Sequence, residues 1–291
     1  MALFPVDLHT HTTASDGRLS PAELVQRAAR RGVRVLGIAD HDTLDGIPAA
    51  QAAGAALGVE IVPAIEFSTR HEPAKHFMGI HLLGYFVDPT SPPLQDIVQQ
   101  VKDGRIAQKK RQVEILQSLG FDISVEAVFA RAGGVPGRPH IAAELMARYP
   151  GRFESIQQVF DELLGSGRRA HVRRPFSLSV GEAIAAVRAG GGLPVLAHPA
   201  AYEAGLDPEL AVRNAAAEGI GGVEVYYPYG RGHRGGGSSW VGRMEQLARE
   251  LKLLPTGGTD FHGRPDNPID LGDVGLTERQ YQSLLAGWQA F

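Results

Sequence analysis

The chain has 291 residues, 43% of them hydrophobic, and a formal net charge of −3. That suits one large α/β domain, or a domain with an insertion, and supplies no global field for nucleic acid or anionic membrane. The absence of cysteine excludes disulfides, iron–sulfur clusters and thiolate zinc sites, so any metal must be held by nitrogen and oxygen.

The N-terminus lacks the basic start and apolar core of a signal peptide, and no apolar run reaches the roughly 18 residues of a membrane helix. A cytoplasmic location is expected, with no membrane and no protein partner. Phe4 to Leu8 reads as a short apolar strand. Ser20 then caps a helix with Pro21 at its first position, Glu23 closing a capping box and Gly32 ending it. Val33 to Ala39 is a second strand, Asp45 to Leu57 an Ala-rich helix, and Val59 to Ile65 and His76 to Tyr85 two further strands. This alternation predicts a mostly parallel sheet covered by helices.

From Asp88 to Gly167 the pattern turns helical. Leu94 to Leu119 reads as one long helix stopped by Gly120, and shorter helices fit Ser124 to Gly133, Pro139 to Arg148 and Phe153 to Leu164. Residues 88–167 are therefore read as an inserted helical cap subdomain, and 1–87 with 168–291 as the main domain. There the alternation resumes with a helix at Val180 to Ala189. Strands follow at Leu193 to Ala197, Val223 to Tyr227 and Leu253 to Pro255, and helices at Pro208 to Glu218, Ser239 to Leu251 and Thr277 to Trp288. About seven β/α units suggest a barrel. The Gly/Arg-rich stretch Tyr229 to Ser238 reads as a mobile loop.

Polar clusters sit at predicted strand ends: Asp7, His9 and His11; Asp40, His41 and Asp42; Glu66; His198; Asp260 and His262. His81 lies within the fourth strand. In a barrel these ends converge on one face. In His9-Thr-His11 the i and i+2 side chains point the same way and can reach one metal. Taken alone, His81 reads as a core histidine, Glu66 as a cap and Asp16 as a turn residue before Gly17. Together, His9, His11, His41, His81, His198 and His262 are six of the eleven histidines, too concentrated for chance. Histidines and carboxylates suit zinc, manganese, iron or magnesium, and the carboxylate share favours a multinuclear site.

Four motifs carry a resemblance: Asp7-Leu-His-Thr-His11, Thr12-Thr-Ala-Ser-Asp-Gly17, Asp40-His-Asp-Thr43 and Gly258-Thr-Asp-Phe-His-Gly263. They resemble, in order, those of the PHP (polymerase and histidinol phosphatase) family. The chain looks most similar to its stand-alone branch, which includes 3′,5′-nucleotide bisphosphate phosphatases and a 5′→3′ exoribonuclease. Gly137-Arg-Pro-His-Ile-Ala142 also resembles that branch. The resemblance implies a distorted (β/α)7 barrel with an inserted helical subdomain and two to three divalent metals. It implies that His9, His11, Glu66 and Asp260 hold the first metal. Glu66 bridges to a second with His81 and His198, and Asp16, His41 and His262 hold the third. Asp16 stands where some relatives have histidine, which leans that site towards manganese or magnesium. Manganese is the expected metal overall, with magnesium, iron and zinc as alternatives. Asp40 is expected either to support a histidine from behind or to serve a cap or turn; with Glu66 and His198 it makes up the expected catalytic set. One departure is His171-Val-Arg-Arg-Pro175, where many members have a Tyr-Val-Pro-type segment.

Metals would activate water for in-line attack on phosphorus without a Ser or Cys nucleophile. A second phosphate on the substrate needs its own anchor. Arg138 and His140 are the first candidates and Arg173 and Arg174 the next, since a guanidinium matches phosphate oxygens. Gly137 to Pro139 could equally be a helix-start turn. Lys102, Arg105, Lys109, Lys110 and Arg111 read as a solvated helix face. The leading expectation is removal of the 3′-phosphate from a nucleoside 3′,5′-bisphosphate such as phosphoadenosine phosphate, a small phosphorylated nucleotide. The alternative is 5′→3′ digestion of short 5′-phosphorylated RNA. Histidinol phosphate hydrolysis, a non-catalytic metal-binding module and carbon–nitrogen hydrolysis are weaker. His71, His76 and His233 read as surface residues, and Tyr226, Tyr227 and Tyr229 as packing residues able to stack a base.

Overall fold

The computed structural model describes residues 3–202, 206–230, 237, 239–265 and 267–291. Most of the Gly/Arg-rich stretch after Tyr229, including His233, lies outside the described residues. Seven strands form one sheet in chain order: β1 (Val6–Thr10), β2 (Val35–Ile38), β3 (Glu60–Ser68), β4 (His81–Tyr85), β5 (Leu193–Leu196), β6 (Gly222–Tyr226) and β7 (Leu254–Gly257). A lone parallel bridge between Thr10 and Phe261 links β1 to the segment after β7. The sheet therefore curls into an incompletely closed, distorted barrel, as the sequence predicts.

One strand departs from the parallel pattern. β4 runs antiparallel to both β3 and β5, whereas the other pairs are parallel. Residues 69–80 between β3 and β4 hold no more than a short helical turn at Pro73–Lys75, and a parallel return needs a longer crossover. The reversal has a consequence for the site. Ser68 at the end of β3 faces His81 at the start of β4. The first residue of β4 thus lies at the rim where the parallel strands have their C-terminal ends.

Among the described residues ten α-helices accompany the sheet: α1 (Pro21–Arg31), α2 (Ile47–Leu57), α3 (Pro92–Ser118), α4 (Val125–Ala132), α5 (Arg138–Arg148), α6 (Ile156–Val159), α7 (Val180–Ala189), α8 (Pro208–Glu218), α9 (Ser239–Leu251) and α10 (Glu278–Gln289). The capping box at Ser20 and Glu23 closes α1, and Gly32 ends it at φ 88°, a left-handed conformation that glycine adopts without steric cost. Phe160–Leu164 continues α6 as a π-helical turn. None of the helices among the described residues is long and apolar enough to cross a membrane.

The apolar residues separate into clusters that explain how the cap is attached. Val62 and Ala64 of β3 and Leu83 and Tyr85 of β4 pack with Tyr281 and Leu284 of α10. Glu66 and His81 continue these same strand faces towards the rim. Leu94, Val98 and Val101 of α3 join a second cluster with Ile184 and Val187 of α7. Further along the same helix, Val113 and Leu116 pack instead with Val128, Ile141, Leu145 and Leu164. One helix therefore joins the barrel core at its start and a separate helical cluster at its end. Leu83 is fully buried, so Leu83→Ala should cost about 2–5 kcal/mol through lost burial and the cavity left behind. Urea unfolding followed by circular dichroism measures this; a loss below about 1 kcal/mol would mean that the site collapses freely.

Candidate metal centre

The rim gathers its polar side chains around one carboxylate. Glu66, fully buried at the end of β3, places Oε2 3.4 Å from His9 Nε2, 3.3 Å from His11 Nε2 and 2.9 Å from His41 Nδ1. Its Oε1 lies 2.9 Å from His81 Nδ1 and 3.0 Å from His198 Nε2. Asp260 Oδ1 lies 3.5 Å from His9 Nε2 and 3.1 Å from His11 Nε2. Asp16 Oδ1 lies 3.2 Å from His262 Nε2 and 3.8 Å from His41 Nε2. All nine residues expected as ligands are thus brought together.

The local backbone bends to achieve this. Asp42, His198 and Asp260 carry φ of 57°, 28° and 53°, values that non-glycine residues adopt at a cost and that cluster at functional sites. Gly258 lets the segment after β7 approach β1: a Cβ there would lie 2.4 Å from His9 N.

Several of the convergent atoms lack a hydrogen-bonding partner. His9 Nε2, both ring nitrogens of His11, Asp16 Oδ1 and Glu66 Oε2 are buried and make no hydrogen bond, which is costly unless something else binds them. Donor atoms of His9, His11 and Asp260 lie within 4.8 Å of one another, as do those of His9, Glu66 and His198, of His41, Glu66 and His81, and of His11, Asp16, His41 and His262. These are sets of hard and borderline donors around shared points, and they fit divalent cations.

The electrostatics agree. Burial opposes charge on His11, yet the Asp260 and Glu66 carboxylates beside it lift it to about 9. Burial also opposes ionised Glu66, yet His41, His81 and His9 hold it well below the usual carboxylate range. Burial pushes His41 down to about 4 despite Glu66 and Asp16. The protons drawn in on some of these imidazoles are those that a cation would displace.

Residues 7–164 match the PHP domain. The chain belongs to that family. It is 33% identical over 290 residues to a 5′-3′ exoribonuclease of Haemophilus influenzae, covering 98% of each chain. It is 27% identical over 276 residues to a 3′,5′-nucleoside bisphosphate phosphatase of Chromobacterium violaceum, covering 92% of this chain and 90% of that one. Among solved structures, a presumptive metal-dependent phosphoesterase from Bifidobacterium adolescentis matches with a TM-score of 0.84 and 29% identity, over 97% of this chain and 95% of that one. The protein is a metal-dependent phosphoesterase of the PHP family.

Residues outside the expected ligand set hold these side chains in place. Glu224 of β6 pairs through Oε1 with His9 Nδ1 at 3.0 Å and accepts the His198 N–H through Oε2 at 2.8 Å. Donation from Nδ1 to Glu224 leaves His9 Nε2 free to face Glu66 and Asp260. Its signal was a buried acid between Val223 and Val225. Tyr227 donates to Asp260 Oδ2 at 3.1 Å, and Arg264 to Asp16 Oδ2 at 3.1 Å. Asp7, pushed up to about 6 by burial, accepts from Thr259 N, Thr259 Oγ1 and Gly272 N; it ties the segment after β7 to β1. Asp40, placed in the expected catalytic set as either a support for a histidine or a cap or turn residue, holds a turn. It accepts from Thr12 N, Thr12 Oγ1 and Ser15 Oγ at 2.8, 2.7 and 2.6 Å, shaping the loop that delivers Asp16.

A cavity of about 870 Å³ opens beside the ligands, and Arg105, Lys109, Arg138 and Arg174 line its cap side. Arg105 and Lys109 correct the expectation of a solvated stripe on α3. They are 6% and 3% exposed, because residues four apart share the helix face turned to the cavity. Lys102 pairs with Asp45, and Lys110 and Arg111 are exposed. Lys109 donates to Gln108 Oε1 and Gln112 Oε1. Burial, with Arg105, Arg174 and Arg138 nearby, holds its pKa well below that of an ordinary lysine. Asp42 Oδ2 accepts from both Arg105 Nη1 and Arg174 Nη1.

Of the proposed phosphate anchors, Arg138 and Arg174 line the cavity whereas His140 and Arg173 do not. His140 Nδ1 accepts the Gly137 N–H at 2.9 Å, capping α5, and Arg173 is exposed. His71 is exposed but lines the cavity, and His76 is exposed elsewhere. Tyr229 packs in a buried cluster with Tyr227, while Tyr226 donates to Glu245. Because Glu224 orients His9, Glu224→Gln should weaken manganese binding by about 10–100-fold while leaving the far-ultraviolet circular dichroism unchanged. Titration calorimetry with manganese measures this, and an unaltered affinity would show that His9 needs no such support.

Proposed function

We propose that the protein removes nucleotides one at a time from the 5′ end of short 5′-phosphorylated RNA. The order of the two leading readings is thereby reversed. Similarity to the exoribonuclease is higher and extends over more of the chain than similarity to the bisphosphate phosphatase. The observation that carries the reading in the structure is the cationic cap wall of Arg105, Lys109, Arg138 and Arg174 facing the ligand cluster across one cavity. The net charge of −3 argued against a nucleic-acid channel, but this local set lies where an anionic substrate must enter.

In this reading three cations are held: by His9, His11, Glu66 and Asp260; by Glu66, His81 and His198; and by Asp16, His41 and His262. Manganese is the favoured ion. When bound, they would neutralise phosphoryl oxygens and activate water. The chain supplies the rest. Residues 88–167 cap the barrel formed by 1–87 and 168–291. Arg138 and Lys109 hold the terminal 5′-phosphate, and Arg105 and Arg174 are braced by Asp42 beside them. The phosphoryl group on the 3′ side of the first nucleotide then falls at the ligand cluster. A nucleoside 3′,5′-bisphosphate fits the same pose with nothing beyond its 3′-phosphate, which keeps phosphatase activity as the second reading, favoured by the Chromobacterium violaceum relative.

Manganese-loaded protein should release 5′-mononucleotides stepwise from a 5′-phosphorylated RNA decamer faster than it releases phosphate from adenosine 3′,5′-bisphosphate. Exclusive turnover of the bisphosphate would overturn the order. Arg138→Ala should lower kcat/KM at least roughly tenfold on the 5′-phosphorylated decamer, in keeping with the loss of a charge-assisted pair, and far less on its 5′-hydroxyl counterpart. An equal loss on both oligomers would remove Arg138 from the 5′-phosphate.

A further inference from the structure

The segment that returns from the cap to the barrel carries a charge pattern that the cavity does not account for. Residues 165–181 contain no acidic residue but include Arg168, Arg169, His171, Arg173 and Arg174. Burial along it alternates: Arg169, His171 and Arg173 are exposed, Ala170 is buried, and Val172 and Arg174 are partly buried. The inward residues are each fastened. Ala170 N–H donates to Leu163 O at 2.9 Å, and Ala170 O accepts from Gln112 Nε2 at 3.1 Å. Val172 O accepts from Gln108 Nε2 at 2.6 Å, and Arg174 Nη1 donates to Asp42 at 2.9 Å. Gln108 and Gln112 lie one turn apart on α3 and hold alternate carbonyls of the segment.

From His171 to Arg174 the alternation is that of an extended chain, which turns His171 and Arg173 outward roughly 6–7 Å apart; Arg169 stands just before it, in the turn closed by the His171 N–H on Arg168 O at 2.9 Å. The side chains of Arg169 and Arg173 make no hydrogen bond or ion pair among the described residues. His171, between them, lines the cavity. The middle of the row therefore borders the cavity.

We infer that Arg169, His171 and Arg173 form an outer track for the nucleotides downstream of the first one in a single-stranded RNA. This rests on the exoribonuclease reading and extends it. The two guanidinium groups take successive backbone phosphates, and the His171 ring lies between them for a base to stack on. A nucleoside bisphosphate has nothing to place there. The track therefore acts on substrate length, and the cavity acts on the 5′-phosphate.

The test uses manganese-loaded protein and the double variant Arg169→Ala/Arg173→Ala, both at exposed positions. Substrates are a 5′-phosphorylated RNA dinucleotide and a decamer. The loss in kcat/KM should be at least roughly tenfold greater on the decamer than on the dinucleotide. The dependence of log KM on log salt for the decamer should become shallower by about 1.4, from two lost single-strand phosphate contacts. Equal losses on both lengths, or no loss, in an enzyme that digests the decamer would overturn the track and leave the exoribonuclease reading standing. A wild-type protein that turns over only the bisphosphate and gains nothing from added length would overturn both.

Discussion

A single buried carboxylate, Glu66, sits among five imidazoles, and the organisation of the rim follows from it. A carboxylate with no access to water is costly unless compensated. Here compensation comes from four chain segments at once: β1 with His9 and His11, the turn after β2 with His41, β4 with His81 and the turn after β5 with His198 all reach it from one side or the other of the carboxyl group. Distances of 2.9 to 3.4 Å to so many nitrogen atoms are too many for one carboxylate to satisfy with hydrogen bonds, and they leave orphaned atoms that a cation would bind. The strained φ at His198 and Asp260, the close approach at Gly258 and the support from Glu224 all serve to bring these segments within reach. The stability of the fold and the chemistry of the centre therefore draw on the same interaction.

Opposite this cluster the sign of the charge changes. Asp16, Glu66 and Asp260 lie on the barrel side, and Arg105, Lys109, Arg138 and Arg174 on the cap side. Asp42 is the joint between them. It follows His41 directly, its carboxylate is fully buried, and it receives one arginine from α3 and one from the returning segment. Both connections of the cap are thereby secured to the residue after a ligand. One acid between two arginines leaves a positive balance on the wall facing the cavity. That charge arrangement would draw an anionic substrate to the wall at one end and to the histidine and carboxylate cluster, once it holds cations, at the other.

The strand-end histidines were legible because a barrel converts spacing along the chain into proximity at one rim. His9-Thr-His11 and Asp260-Phe-His262 announced themselves by period two, and Ser20 with Glu23 by a capping box. Other features depended on direction in space, which periodicity does not encode. The reversal of β4 could have been read from the short span between Ser68 and His81, too brief for a crossover helix. Arg105 and Lys109 were misjudged because a helix of mixed polarity does not reveal which face meets a cavity. Four-residue spacing showed that the two share a face but left open whether that face meets solvent. Asp40 carries the polarity of a catalytic acid, yet its oxygens are used up by Thr12 and Ser15. Glu224 was overlooked as one acid in a short strand, although Val223 and Val225 on either side marked it as buried.

The two relatives with different substrates pose a question of specificity rather than of chemistry. A bisphosphate and the 5′ end of an RNA present the same first nucleotide, with a phosphate at each end. In the proposed pose, a centre that attacks the 3′ phosphoryl group and a wall that grips the 5′ phosphate do not tell them apart. Discrimination must come from what lies beyond the 3′ phosphate, which is either solvent or further chain. In this protein that region is bordered by the returning segment, where alternate residues are fastened to α3 and Asp42 and the intervening Arg169, His171 and Arg173 face outward. The hydrogen bonds of Ala170, Val172 and Arg174 fix the backbone from which these side chains project. In the proposed reading, their positive charge stands where a longer substrate differs from a shorter one.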